Sequence, residues 1–343
     1  MIRRVLRGFP VDDTVAFFRE IGVPLHEEPG GKLFPDSNRA RDVLNALVNE
    51  ASRAGVTIVT QSRVSDVART SGGFELATTS GDLSAARVVL ATGGRSLPKS
   101  GSDGAGFEIA KRLGHTIVPT TPGLVPLILD DERQAMHRQL SGVAHEAELT
   151  LWVDDAVEIR LSGSLLWTHF GISGPVTLDM SRHWLRARLE HRRARLTVSF
   201  CPGHTFDDVE RWWTTRTGER PHTSVSTRVS TLVPASVAEA LLARVNVNGA
   251  TTLAHLSRDD RRNISHALVQ WPLAVKGDRG YNYAEVTAGG VSLDEIDPAT
   301  MTSRVCPGLS LVGEILDVDG RIGGFNFQWA WSSAHVAAAA LGT

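Results

Sequence analysis

The sequence GLSLVGEILDVDGRIGGFNFQWAW, which covers residues 308–331, decides how the rest of the chain is interpreted. It opens with a short apolar run at 309–312, which predicts a buried strand. Acidic residues follow from Glu314 onward, and a glycine pair stands at 323–324. From about Phe325 the pattern is rich in alanine and helical. The stretch therefore predicts a strand, an acidic turn, a glycine pair and the start of a helix.

A unit of this kind points the backbone N–H groups of a helix start at an electron-rich ligand. The carboxylates of Glu314, Asp317 and Asp319 accept hydrogen bonds and therefore suit ribose or ribityl hydroxyls. An ordinary strand–loop–helix unit without a ligand gives the same pattern, because glycine turns before helices are common. The pattern alone leaves both interpretations open.

The composition excludes several classes of protein. A length of 343 residues suggests two or three domains, and 42% hydrophobic residues are enough for real cores. The formal net charge of −2 gives no indication of a nucleic-acid partner. No run reaches the length of a membrane span, so we expect no membrane partner.

The two cysteines, Cys201 and Cys306, lie far apart in the sequence. They provide neither the spacing of a zinc site nor that of a redox pair, so we expect no metal and a reducing compartment. The basic start at residues 1–4 is followed by charged residues and a proline, which excludes a signal peptide. These features together predict a cytoplasmic protein.

The first part of the chain combines helix and strand patterns: helices over 12–21 and about 39–53, and a strand over 56–60. Three strands of period two then form a β-meander: 63–69, 74–79 and 83–90. The last of them runs into Ala91-Thr92-Gly93-Gly94, a small-residue strand end that on its own is also typical of a tight turn. Residues 95–106 are rich in glycine but lack the spacing of the dinucleotide fingerprint.

A second part begins near residue 120, where prolines interrupt the chain. Strand patterns at 124–129 and 146–161 precede THFGISGP at 168–175, and a helix should begin near Pro175. His169 is the histidine with most reason to be functional, although a single histidine packed for structure has the same appearance. Helical patterns then dominate from 206 to 268.

Several segments together carry a resemblance to a known family. They are ATGG at 91–94, THFGISGP, AEVTAGGVSL from Ala284, GEILDVDG at 313–320 and GGFNFQWAWSS at 323–333. In this combination the chain resembles the BaiN-like, or aminoacetone-oxidase-like, NAD(P)/FAD-dependent oxidoreductases over nearly all of residues 10–343.

The resemblance implies an α/β fold with an FAD-binding Rossmann-type domain, incomplete at its N-terminus, into which β-rich and small helical domains are inserted. The flavin domain would be discontinuous, comprising residues 1–120 and 277–343. The β-rich domain would cover 121–200 with 267–276, and the helical insertion 201–266. The change from period-two to helical patterning inside the insert supports this division.

The resemblance also implies FAD as cofactor, with NAD(P)H as a candidate reductant and a small-molecule substrate that the sequence does not identify. Glu314 would face the ribityl or pyrophosphate part, and the backbone of 323–326 would meet the pyrimidine edge of the flavin. The residues implied to bind the cofactor are Val64, Thr92, Gly93, Gly94, Gly313, Glu314, Asp317, Gly323, Gly324, Phe325 and Asn326. No acid–base pair or nucleophile triad is visible, so no catalytic residue is assigned, and the oligomeric state is left open.

Relatives of this kind begin with a strand, a GxGxxG turn and a helix that hold the pyrophosphate. Residues 1–11 contain one glycine, Gly8, and no apolar strand before it. We therefore expect Met1 to be internal to a longer reading frame, and residues 1–343 alone to bind flavin poorly or to be poorly soluble. The alternative function is a truncated, non-catalytic remnant that binds a ligand or partner weakly.

Overall fold

The computed structural model describes residues 1–28, 31–130, 136–217 and 221–342, with only the backbone described for 214–217. The chain forms two compact units, one made of Met1–Thr120 with Val286–Thr343 and the other of Thr121–Glu285. Each unit contains its own hydrophobic core. No helix in the described ranges is both long enough and apolar enough to cross a membrane.

The helices are numbered in chain order. They are α1 Ile2–Gly8, α2 Val11–Glu20, α3 Ala40–Arg53, α4 Ala105–Arg112, α5 Met136–Gln139, α6 Pro175–Leu189, α7 Phe206–Thr217, α8 Val225–Val229, α9 Ala235–Arg244, α10 Arg258–Val269 and α11 Phe325–Leu341. Local chemistry explains where several of them begin. The side chain of Ser257, for example, accepts a 3.0 Å hydrogen bond from the backbone N–H of Asp260 and caps α10.

The strands are numbered in the same way. They are β1 Leu25–Glu28, β2 Lys32–Pro35, β3 Val64–Thr70, β4 Gly73–Thr78, β5 Leu83–Ala85, β6 Val88–Leu90, β7 Ile117–Gly123, β8 Leu127–Leu129, β9 Ala144–Val153, β10 Ala156–Thr168, β11 Gly171–Ser173, β12 Ala194–Ser199, β13 Trp271–Leu273, β14 Val275–Asp278, β15 Val286–Val291 and β16 Leu309–Leu311.

The first unit is organised around the parallel pair β6–β16, in which Leu309 lies opposite Val88 and Leu311 opposite Leu90. These four side chains are buried in one core cluster. The two strands run in the same direction, so the ATGG and VGE segments that follow them leave the sheet at the same edge. The α/β fold class expected from the sequence is confirmed.

Helix α11 is fixed to the first residues of the chain. The hydroxyl of Ser332 donates a 2.7 Å hydrogen bond to the carbonyl of Phe9, and the amide of Gln328 donates to the same oxygen at 2.8 Å. The ring of Trp331 packs edge-on against Phe18 of α2. These contacts hold the start of α11 in place.

The second unit is built on a seven-stranded sheet with the order β13-β12-β9-β10-β11-β8-β14. The helices α7 to α10 share its core: the indole of Trp213 donates to the hydroxyl of Ser265 at 3.1 Å, and the N–H of Phe200 donates to the carbonyl of Leu268 at 2.7 Å. The helical segment expected over 201–266 therefore packs into the same unit as the strands. Strand β14 also belongs to this unit, which places the return to the first unit at Val286 and not at residue 277.

Residues 56–60 do not form the strand that their sequence predicts. Val56, Ile58 and Val59 are 55%, 50% and 61% exposed, and no strand in the described residues pairs with them. A strand needs a hydrogen-bonded neighbour, which a local pattern cannot supply. The strand predicted over 83–90 is also divided, because β5 pairs with β4 whereas β6 pairs with β16.

Candidate active site

The candidate site lies where β6 and β16 end, and its centre is Glu314. This residue lies in the 3-10 turn Gly313–Ile315, directly after β16. Its Oε1 atom accepts a 2.7 Å hydrogen bond from the backbone N–H of Thr287 on β15. Its other oxygen, Oε2, has no hydrogen-bond partner among the described residues, so the carboxylate has one oxygen fixed and one available to a ligand hydroxyl.

Thr287 connects Glu314 to the loop after β6. Its buried Oγ1 accepts hydrogen bonds from the backbone N–H groups of Arg95, at 2.7 Å, and Ser96, at 3.2 Å. A Cβ atom at Gly94 would lie 2.3 Å from Thr287 Oγ1 and 2.7 Å from Glu314 Oε1. Only glycine at residue 94 allows the loop to approach the carboxylate so closely.

The environment of Glu314 favours its protonated form. Burial raises the pKa of this carboxyl group, and the hydrogen bonds from Thr287 act in the opposite direction without cancelling it. A half-buried carboxyl group with a perturbed pKa is a feature of functional sites as well as of structural networks.

A cleft of about 270 Å³ opens beside this strand end, and Val64, Thr92 and the ion pair Arg63–Asp103 are among its lining residues. The Arg63 and Asp103 side chains are 2.6 Å apart, and the arginine lowers the pKa of Asp103. A Cβ atom at Gly106 on α4 would lie 1.9 Å from Thr92 Oγ1. The absence of a side chain there lets α4 pack directly against the strand end.

A buried hydroxyl next to Gly93 lacks a hydrogen-bond partner among the described residues. Gly93 has a φ of +69°, which brings its backbone against Ser102. The Oγ atom of Ser102 is buried and has no hydrogen-bond partner among the described residues. A buried hydroxyl without a partner requires an explanation, and a bound ligand or water is the usual one.

The start of α11 forms the second part of the site. Gly323 and Gly324 have φ values of +127° and +84°, and Gly324 is the N-cap residue without a side-chain cap. The N–H groups of a first helical turn lack partners within their own helix. The backbone N–H groups of Phe325 and its successors are therefore available to an anionic or electron-rich group.

Gly313 links the two parts. Its N–H donates a 2.9 Å hydrogen bond to the hydroxyl of Ser333, and its carbonyl accepts a 3.0 Å hydrogen bond from the indole of Trp329. Both partners lie on α11 and are buried. The position of α11 relative to Glu314 is thus fixed by two side chains that the sequence does not single out.

The remaining predicted residues have more varied surroundings. The backbone N–H of Asp317 donates to the carbonyl of Val291 at 3.0 Å, and the residue is half-buried. The side chain of Asn326 holds the preceding loop, because its Oδ1 accepts from Gly320 N–H at 2.7 Å. Phe325 is exposed and contacts the guanidinium of Arg321. Gly94 lies next to Glu314, and Val64 and Thr92 line the same cleft. The side chain of Asn326, in contrast, is hydrogen-bonded within its own loop.

These residues fit a flavin dinucleotide. Ser102 offers a hydroxyl without a partner among the described residues, and α11 offers N–H groups without a side-chain cap. The cleft is slightly smaller than an ordinary ligand pocket, which measures roughly 300–1,000 Å³. It therefore accommodates one part of a dinucleotide, and the rest of the cofactor would lie outside it.

A larger groove of about 620 Å³ lies elsewhere in the first unit and is lined by residues that include Asp66, Arg69, Arg112 and Cys306. Its two arginines are already engaged, since Arg112 binds Asp66 at 2.8 Å and Arg69 donates to the carbonyl of Pro307. None of the cofactor residues predicted from the sequence lines this groove. The strand-end site is therefore the better candidate.

Sequence reasoning did not identify Thr287, Ser102, Ser333 or Trp329 as parts of the site. Thr287 lies within the segment AEVTAGGVSL, whose glycines are closely packed: a Cβ atom at Gly290 would lie 2.7 Å from the carbonyl oxygen of Ile315. Within the described ranges, no group of three or more His, Cys, Asp and Glu side chains is placed to hold a metal ion.

A parallel strand pair that ends in small residues, a half-buried carboxylate and an uncapped helix start define a Rossmann-type α/β protein with a strand-end site. The chain belongs to the family described as the HI0933-like protein Rossmann domain, whose family model matches residues 1–340. This membership confirms the Rossmann-type domain that the sequence predicted.

Three characterised relatives match almost the whole chain. The ribosomal RNA dihydrouridine synthase of Escherichia coli (strain K12) is 32% identical over 336 residues, which cover 98% of this chain and 80% of the relative. The 3-dehydro-bile acid delta(4,6)-reductase of Clostridium scindens is 31% identical over 335 residues, covering 98% and 81%. The ribosomal RNA dihydrouridine synthase of Haemophilus influenzae is 30% identical over 344 residues, covering 99% and 82%.

Proposed function

We propose that this chain is an FAD-dependent oxidoreductase that reduces an unsaturated small molecule, with NAD(P)H as the reductant. The observation that carries the proposal is the contact of Glu314 with Thr287 and Gly94 at the ends of β6 and β16. The names of the relatives support the reductive direction, because one is a reductase and two are named for making a dihydro product.

When bound, FAD supplies the chemistry of accepting a hydride and passing it on, and the protein supplies binding and electrostatics. Thr287 holds one oxygen of Glu314, so that the other oxygen accepts a hydrogen bond from a ligand hydroxyl. The N–H groups at the start of α11 stabilise negative charge next to them, because the positive end of the helix dipole lies there. Negative charge that develops on a ligand during reduction is stabilised in this position.

The choice of a small molecule as substrate rests on the near-neutral charge of the chain, which offers no general attraction for RNA. Two of the relatives are named for ribosomal RNA, so RNA belongs in the test as the competing substrate.

We also propose a cytoplasmic location, because the two cysteines are both free and buried.

The test uses the full product of the gene, loaded with FAD. NADH or NADPH is added without oxygen, and the flavin absorption bands are followed. Bleaching by either nucleotide, followed by recovery on addition of free uridine or an unsaturated ketone, is the expected result. No bleaching with either nucleotide would contradict the proposed reductant, and recovery with uridine-containing RNA alone would contradict the small-molecule substrate.

A further inference from the structure

Arg279, in the second unit, contacts two aromatic rings at once. Its Cζ atom lies over the ring of Phe170, 4.4 Å from the centroid, and over the ring of Tyr283, 3.7 Å from the centroid. Among the described residues it is the only arginine with two such partners. Contact with ring faces is favourable for a guanidinium and leaves its in-plane N–H edge for other partners.

The backbone places these side chains on both sides of β8. Strands β11 and β14 pair with β8 on its opposite edges, and Gly171 and Gly277 share Ile128 as their partner. The carbonyl of Phe170 accepts from the N–H of Leu129 at 3.1 Å, and the N–H of Arg279 donates to the carbonyl of Pro126 at 3.2 Å. The ring of Phe170 and the guanidinium are therefore supported by the sheet.

Tyr283 is brought back over Arg279 by a tight turn. The N–H of Gly280 donates a 2.6 Å hydrogen bond to Oδ1 of Asp278, and the N–H of Tyr283 donates to the carbonyl of Gly280 at 3.0 Å. Gly280 has a φ of +71°, a conformation that suits glycine and disfavours other residues. The second aromatic contact is thus set by the fold of residues 278–283.

The guanidinium of Arg279 has two aromatic partners but no anionic partner among the described residues. Within the described part of the chain, no carboxylate or carbonyl oxygen accepts a hydrogen bond from its side chain. Elsewhere in this unit, Arg192 pairs with Asp154 and Glu158, and Arg261 pairs with Glu210. Tyr283 is 52% exposed, so a molecule from solvent has access to this region.

We propose that Arg279, with Phe170 and Tyr283, forms a binding site for an oxyanion, either the carboxylate or the phosphate group of a small molecule. The two rings fix the plane of the guanidinium, and its edge then matches two oxygens of such a group. An aromatic or flat ligand gains further contact on the exposed face of Tyr283. The site lies within the second unit and does not depend on the flavin proposal.

The test is a titration of the full chain with benzoate and with phenyl phosphate, followed by saturation-transfer NMR, with methyl benzoate as the uncharged probe. We expect one or both anions to bind and the ester not to bind. The Arg279→Met variant should weaken binding by roughly tenfold or more, and Arg279→Lys should weaken it less, because lysine keeps the charge but loses the paired N–H groups. The tighter anion identifies the ligand class as carboxylate or phosphate.

The matched control is Arg160→Met, which removes an exposed arginine of β10 that has neither an aromatic nor a carboxylate partner among the described residues. This control should bind within about twofold of the wild type. Equal binding by wild type and Arg279→Met, or an equal loss in Arg160→Met, would overturn the proposal. Should Arg279→Met fail to fold, Tyr283→Leu replaces it, and unchanged binding by that variant would have the same meaning.

Discussion

Glu314 Oε1 and the backbone nitrogen of Thr287 lie 2.7 Å apart, although 27 positions separate the two residues in the sequence. The same threonine receives hydrogen bonds from Arg95 and Ser96 through its hydroxyl. One residue therefore joins β15, the turn after β16 and the loop after β6.

Replacing Glu314 with glutamine should change how stability depends on pH. Burial raises the pKa of Glu314 above its ordinary value of 4.5, so the folded chain binds this proton more readily than the unfolded chain. The stabilising contribution is therefore complete below the unfolded pKa and is lost as the pH rises through the folded pKa. Since glutamine is neutral throughout, Glu314→Gln should gain stability relative to wild type between acid and neutral pH. Urea unfolding at several pH values measures the free energy of unfolding of both proteins. A difference between Glu314→Gln and wild type that stays constant with pH would contradict the prediction.

Substituting Gly94 with alanine should destabilise the first unit. The added Cβ would lie 2.3 Å from Thr287 Oγ1, and neither the threonine nor the carboxylate beside it can move without breaking a hydrogen bond. Overpacking of this kind costs about 1–3 kcal/mol. Gly72→Ala is the control, because a Cβ there meets nothing within 4 Å and the position lacks a positive φ. Equal free energies of unfolding for the two variants would show that the close approach is not required.

Ser333→Ala should weaken the attachment of α11. It leaves the buried N–H of Gly313 without its 2.9 Å partner, and an unsatisfied buried donor costs about 1–3 kcal/mol. Ser84→Ala, at an exposed position of β5, should change stability by less than about 0.5 kcal/mol. Hydrogen exchange at the amide of Gly313 gives a local readout, and unchanged protection in Ser333→Ala would argue against this role.

The contact between Glu295 and His115 should make the first unit sensitive to acid. Burial tends to raise the pKa of Glu295, but hydrogen bonds from Thr116 and His115 outweigh it and hold the pKa below its ordinary value. A lowered carboxyl pKa gives stability that is present above the unfolded pKa and is lost as the pH falls through the folded pKa.

Glu295→Gln should therefore be less stable than wild type at neutral pH and should approach it in acid. Glu75→Gln, on the exposed side of β4, provides the control with the same change of charge. A thermal melting series over pH gives the comparison. If the melting temperature of Glu295→Gln changed with pH in the same way as that of Glu75→Gln, the hydrogen bonds to Glu295 would not be the cause of the acid sensitivity.

The sequence was sufficient for the features that depend on local chemistry. The apolar run at 309–312, the glycine pair and the alanine-rich helix lie next to one another in the chain, and the structure contains β16 and α11 where they were predicted. The start of α6 at Pro175 followed from the fixed φ of proline, which suits the first position of a helix. The strand-end position of Glu314 followed from the same local pattern.

Features that depend on distant partners could not be predicted. Thr287 acquires its role through contacts with Glu314 and with the loop after β6. No local sequence pattern predicts that these three segments lie in contact. Residues 56–60 have the composition of a strand, but their apolar side chains remain exposed because no strand pairs with them in the described residues. The helical segment 201–266 was expected to be separate because its period changes, whereas its core contacts join it to the sheet.

The flavin content of purified protein tests the central claim most directly. The wild-type protein, expressed as the full product of its gene and supplied with FAD, should show flavin absorption at about one equivalent per chain. Glu314→Ala should lose most of this absorption while its circular dichroism is unchanged, and Glu75→Ala, which removes an exposed carboxylate, should retain it. A wild-type protein that binds no flavin, or a Glu314→Ala variant that retains as much flavin as Glu75→Ala, would contradict the account.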